Sequence, residues 1–137
     1  PETHNGFHLV IGGAEEAELV WGDGLKVRRI ALRPGVHVVT ERSFGAAPSG
    51  REERLSQLAK ELEIGPPPND ERLKEILSEH AEDAFDGICV HLPVIGYGTR
   101  SSTMLRLGER VRFLHTEGAP CSSELQDLSE TARALLA

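Results

Sequence analysis

Glu18-Leu19-Val20-Trp21-Gly22-Asp23-Gly24-Leu25-Lys26-Val27 decides how the first part of this chain folds. Gly-Asp-Gly between two apolar runs is a hairpin signal, because glycine enters the positive-φ region that a tight turn requires. Upstream, Phe7, Leu9 and Ile11 alternate with His8 and Val10 and end at Gly12-Gly13, a second strand-and-turn pattern. Downstream, the strand runs from Lys26 to Leu32, and Arg33-Pro34-Gly35 turns the chain into Val36-His37-Val38-Val39-Thr40. The spacing predicts an antiparallel meander of about four strands.

The pattern then changes period. Ser49 and Glu52 have capping-box spacing, and Leu55, Leu58, Ala59 and Leu62 recur at helical intervals. Gly65-Pro66-Pro67-Pro68 stops that helix and acts as a stiff spacer. A second helix is expected from Asn69, with Asp70 and Glu71 favouring its first turn and Leu73, Ile76, Leu77 and His80 as its buried stripe. Strand character returns at Ile88–Leu92, Thr99–Leu107 and Val111–His115. Ser123 and Gln126 are placed to cap a last helix whose apolar face is Leu125, Leu128, Ala132 and Leu135. Strands, two helices, strands and a helix argue for a layered α+β fold, read as a single domain over residues 1–137.

Composition narrows the function classes. Of 137 residues, 39% are hydrophobic and 27% charged, and the net charge is −7, which disfavours binding to nucleic-acid phosphates and to anionic membrane surfaces. No apolar run approaches the length of a membrane span, and the first residues lack the basic and apolar regions of a signal peptide. Two cysteines, Cys89 and Cys121, are too few for a disulfide framework, so a reduced, cytoplasmic setting is expected.

Tyr97-Gly98-Thr99-Arg100-Ser101-Ser102-Thr103 is the most unusual segment, with one guanidinium and a run of serine and threonine hydroxyls beside a glycine. Arginine suits bidentate binding of a carboxylate or phosphate. Alternation along a strand would turn Arg100 and Ser102 one way and Thr99, Ser101 and Thr103 the other. Glu41 ends a strand, where a carboxylate is placed for acid or base work. Cys89, His91, His115 and Cys121 would make a four-ligand set, but no CxxC or HxxxH spacing supports it, and the sequence assigns no metal. No GxGxxG or P-loop is present.

Read in order, Asn5-Gly6-Phe7-His8-Leu9-Val10, Arg33-Pro34-Gly35-Val36-His37-Val38-Val39-Thr40, Gly50-Arg51-Glu52-Glu53-Arg54-Leu55 and Tyr97–Thr103 resemble motifs of the Asn-Arg-Asp-Glu (NRDE) motif family, also called the transport and Golgi organisation 2 family. The resemblance implies half of a four-layer αββα sandwich, similar to N-terminal nucleophile hydrolases. Its nucleophilic Cys would lie outside this chain, which then reads as the C-terminal part of a larger member. By resemblance, Arg100 is a pocket arginine near that nucleophile, and Thr99, Ser101 and Ser102 line the same pocket for a small amide substrate. Glu41 stands where the family has an asparagine able to help an oxyanion hole. The alternative is a non-catalytic carrier of haem or an acyl ligand. No resident cofactor is assigned, but His37, His91 and His115 are the available axial ligands for haem. The implied partners are the small molecule and the missing half, and a sheet face left bare by that half would favour self-association.

Overall fold

In the computed structural model, which describes residues 5–13, 15–40 and 50–136, Asp23 closes the Gly22–Gly24 turn. Its carboxylate accepts the Leu25 and Lys26 amides at 2.9 and 2.8 Å. The turn joins β2 (Ala17–Gly22) to β3 (Val27–Leu32), and β2 also pairs with β1 (Phe7–Gly12), giving an antiparallel sheet in the order β1-β2-β3. Leu19 and Trp21 of the central strand are buried, and α1 (Gly50–Ile64) buries Leu58. Glu41 and Ser49 lie outside the described residues.

The expected fourth strand does not form over Val36–Thr40. Gly35 takes φ +144°, and the Val36 amide donates to the Glu63 carboxylate of α1 at 3.3 Å instead of to a strand. His37 Nε2 donates to the Arg33 carbonyl at 2.7 Å. These side-chain bonds, one local and one to α1, stand where ladder bonds would be.

The chain divides into two compact units within the proline run, one ending at Pro66 and the other beginning at Pro67. The second unit opens with α2 (Asp70–Leu77), capped by Asn69, whose side chain accepts the Arg72 amide at 2.8 Å. Such a cap contributes about 1 kcal/mol. Ile76 is buried and Leu73 and Leu77 are half-buried, as their spacing predicts. His80 departs from that stripe: Ser78 ends the helix by donating its amide to Lys74 and Glu75, and His80 lies beyond it, exposed.

A short hairpin follows, β4 (His91–Leu92) and β5 (Tyr97–Gly98), joined by a single 3-10 turn at Pro93–Ile95. The strand expected from Ile88 is thus cut to two residues, with Gly87–Cys89 in a bend. Then come β6 (Ser101–Arg106), β7 (Arg112–Glu117) and β8 (Gln126–Asp127), paired antiparallel in that order, and α3 (Ser129–Leu136). The last helix therefore starts later than Ser123, and Leu125 is outside it, because Gln126 and Asp127 pair with His115 and Leu114. The Asp127 carboxylate then accepts the amide and hydroxyl of Ser129, and the buried Ser129 hydroxyl accepts the Phe113 amide at 3.0 Å. Helices α2 and α3 lie beside this sheet, against β6 and β7. Leu114, at 2% exposure, is its deepest aliphatic side chain, a burial that contributes about 2 kcal/mol. No described helix is long and apolar enough to cross a membrane.

Arg112 bonds Asp70 of α2 through Nε at 3.0 Å and also pairs with Asp127 of β8, which raises the guanidinium pKa. The Ser129 hydroxyl and amide, followed by Arg112, hold the Asp127 carboxyl below the usual carboxylate range. A carboxyl lowered on folding contributes stability that is present above its unfolded pKa and lost as pH falls through the folded one. Asp127→Asn should therefore be less stable than the parent at neutral pH. The gap should close below about pH 4, as read from urea midpoints across that range.

Candidate metal centre

Three segments of the second unit converge on one point. The Cys89 amide donates to the Glu79 carbonyl at 2.9 Å, drawing the bend at Gly87–Cys89 back against the end of α2, where His80 stands. Gly87 is buried in this bend, and a Cβ there would meet the Cys89 carbonyl at 3.1 Å. Val90 is then gripped by Thr99: the Val90 amide donates to Thr99 Oγ1 at 2.9 Å, and the Thr99 amide donates to the Val90 carbonyl at 2.9 Å. Successive side chains on an extended segment point to opposite faces, so Cys89 and His91 flank Val90 on a common side.

The third segment is the turn after β7. Thr116, fully buried, accepts the Ser102 amide at 3.0 Å and donates to the Gly118 carbonyl at 3.0 Å. Gly118 takes φ +124°, and the turn closes with the Ser122 and Ser123 amides donating to Ala119. Buried Pro120 precedes exposed Cys121 in that turn.

The result is a cluster of His80, Cys89, His91 and Cys121 whose ligand atoms all lie within 4.8 Å of one another. Cys89 Sγ is 3.6 Å from Cys121 Sγ, and His91 Nε2 lies 3.4 Å from Cys89 Sγ and 3.1 Å from Cys121 Sγ. A tetrahedral zinc with ordinary Zn–S and Zn–N bonds has S–S edges of about 3.8 Å and S–N edges of about 3.5 Å. The His80 and His91 rings stand nearly perpendicular, at 83°, with centroids 5.1 Å apart, so neither stacks on the other. Burial pushes the Cys89 thiol above its ordinary range, with the Cys121 thiol beside it, so taking up a cation there would release a proton.

Three of these four ligands, Cys89, His91 and Cys121, belong to the set considered from sequence; the fourth differs. His115 falls on the opposite face of β7 from buried Leu114 and Thr116, and its Nδ1 meets Thr103 Oγ1 at 3.0 Å. His80 takes its place. The readable signal was Cys89-x-His91, since two ligands at i and i+2 of a strand share a face.

In the Tyr97–Thr103 segment, two of the hydroxyls are engaged within the fold. Thr99 is committed to Val90 and Ser102 to Thr116, whose Oγ1 is 2.9 Å from its hydroxyl. Ser101 is exposed opposite Glu117, and Arg100 is exposed with no ion pair among the described residues. His37, in the first unit, is bonded to Arg33 and stands beside a cleft of about 370 Å³ that Leu19, Val36 and Glu63 also line.

No protein family, curated protein or solved structure matches this chain.

Gly98 faces His91 in the β4–β5 hairpin, and a Cβ on it would stand 2.7 Å from the Val90 carbonyl, a backbone atom with little freedom to move. Gly98→Ala should therefore push β5 away from Val90 and spread the ligands. The expected result is zinc affinity about 10- to 100-fold weaker, the effect usual for disturbing the support of a metal ligand, measured by competition with a chromogenic chelator.

Proposed function

We propose that residues 67–137 form a zinc-binding module in which the cation is structural. The observation that carries this reading is the convergence of four ligand atoms, two sulfurs and two imidazole nitrogens, within 4.8 Å. That donor set suits Zn(II), and four protein ligands leave no coordination position for water or substrate, so the ion ties segments together and activates nothing. Need points the same way. A unit of about 70 residues seldom stabilises itself by its apolar core alone, and a structural metal is one of the usual staples. The ion would join the turn after α2, strand β4 and the turn after β7.

The test is metal content and its dependence on the ligands. The purified chain should carry one zinc per molecule by elemental analysis. Cys89→Ser and His91→Ala should each weaken zinc binding by more than about 100-fold, beyond what loss of an outer-shell partner costs. A chelator should lower the melting temperature of the parent and leave that of Cys89→Ser unchanged. Zinc content well below one per chain after refolding with excess zinc would defeat the reading.

A second reading follows the NRDE-family resemblance: the chain is the C-terminal part of an amide hydrolase with an αββα sandwich and an external Cys nucleophile, or of a haem or acyl-ligand carrier. What favours it is Arg100, exposed and without an ion pair among the described residues, a guanidinium able to take a carboxylate. The intact mass and first residue of the protein from its native cells would decide. A longer chain opening with Cys supports this reading, and a native chain opening at Pro1 overturns its hydrolase form.

A further inference from the structure

We propose that Cys121 is a site of oxidation by hydroperoxides and that Cys89 resolves it into an intrachain disulfide, expelling the cation. The release of zinc rests on the zinc-module reading; the chemistry of the sulfur pair does not.

The two sulfurs are unequal in access and close in space. Cys121 is exposed on its turn, whereas Cys89 is 2% exposed beneath it. Their Sγ atoms are 3.6 Å apart, so forming a bond of about 2 Å requires the sulfurs to approach by less than about 2 Å. A small oxidant from solvent therefore meets Cys121 first and finds a second thiol already in place behind it. The separation in sequence, 32 residues, is bridged by the fold itself, through Thr99 on Val90 and Ser102 on Thr116.

The steps balance. Cys121 sulfur attacks one oxygen of hydrogen peroxide and breaks the O–O bond, leaving a sulfenic acid; the leaving hydroxide departs as water with the thiol proton in the metal-free protein, or with a proton from solvent where the cation has already displaced that proton. Cys89 sulfur attacks the Cys121 sulfur, the S–O bond breaks, and the hydroxyl leaves as a second water, with the Cys89 proton in the metal-free protein or with a solvent proton in the zinc-loaded one. The two thiols have lost two electrons and the peroxide has gained them. In the disulfide neither sulfur is a thiolate donor, and His80 and His91 alone are half of a tetrahedral ligand set, so the ion leaves. Reduction by a dithiol restores both ligands.

The experiment uses the full chain loaded with zinc and treated with hydrogen peroxide. Free zinc is followed with a chromogenic chelator, thiols by titration, and products by intact mass and non-reducing peptide mapping. The expected result is one zinc released as two thiols disappear, a mass lower by two hydrogens and a Cys89–Cys121 crosslinked peptide, all reversed by dithiothreitol and zinc. In zinc-free single variants, Cys89→Ser should yield a sulfenic acid at Cys121 that dimedone traps. The remaining thiol of Cys121→Ser should react about tenfold more slowly, as its burial dictates. Sulfinic acid at Cys121 with Cys89 still free, a crosslink between two chains, or equal rates in the two variants would overturn the proposal. A chain that keeps its zinc through peroxide removes this inference and leaves the zinc module standing. A chain that binds no zinc yet forms the same crosslink removes the module and supports the oxidation site.

Discussion

Val90 is held at both of its backbone polar groups by one residue, Thr99, and the ligand cluster depends on that grip. Val90 is 5% exposed, so an unmet amide or carbonyl there would cost about 1–3 kcal/mol, and Thr99 meets both. Fixing Val90 fixes its neighbours. Cys89 and His91 are carried to one side, and His91 takes its place opposite Gly98. Two hydroxyls of the Tyr97–Thr103 segment thus brace the backbone around the cluster. One hydroxyl secures the Cys89–His91 segment, and another, on Ser102, meets the buried Thr116 that sets the approach to Cys121.

The two units are built by different means. In the first, the sheet is a plain meander with its buried side chains on the central strand, and α1 contributes Leu58. In the second, the sheet is smaller and polar side chains carry more of the organisation: Asp127 starts a helix, Ser129 receives Phe113, and Arg112 spans two carboxylates. The Arg112–Asp127 pair is largely solvated, so it sets register and direction more than it adds cohesion. Cohesion there comes from buried Ile76, Val90, Met104 and Leu114.

How much of this was legible follows from the range of the interactions concerned. The Gly22-Asp23-Gly24 hairpin, the helix over 50–64 and the Asn69 cap are set by residues within a few positions of one another, and the sequence shows them directly. Val36–Thr40 has strand composition, yet its first amide is taken by Glu63, 27 residues away, which no local pattern reveals. The last helix begins late because Gln126 and Asp127 pair with β7, again a distant partner. Three of the four clustered side chains, Cys89, His91 and Cys121, stand together in the sequence reading, which assigns no metal because no ligand spacing supports one. His80 was missed because helical periodicity runs through it, whereas Ser78 ends the helix first; His115 was preferred although period-two alternation on β7 turns it away from the buried face. The placement of Glu41 falls outside the described residues.

The order of the ligands along the chain bears on how the second unit comes together in time. His80, Cys89 and His91 lie close in sequence, while Cys121 is 30 residues beyond His91. Closing a flexible loop of that length costs about 3 kcal/mol in chain entropy beyond a constant term. Pairing of β6 with β7 places Ser102 opposite Thr116 and spans most of that interval beforehand. Little open chain is then left for Cys121 to search. Were a cation bound there, His80, Cys89 and His91 would be made first and the hairpin would bring Cys121 to them before the C-terminal helix is made.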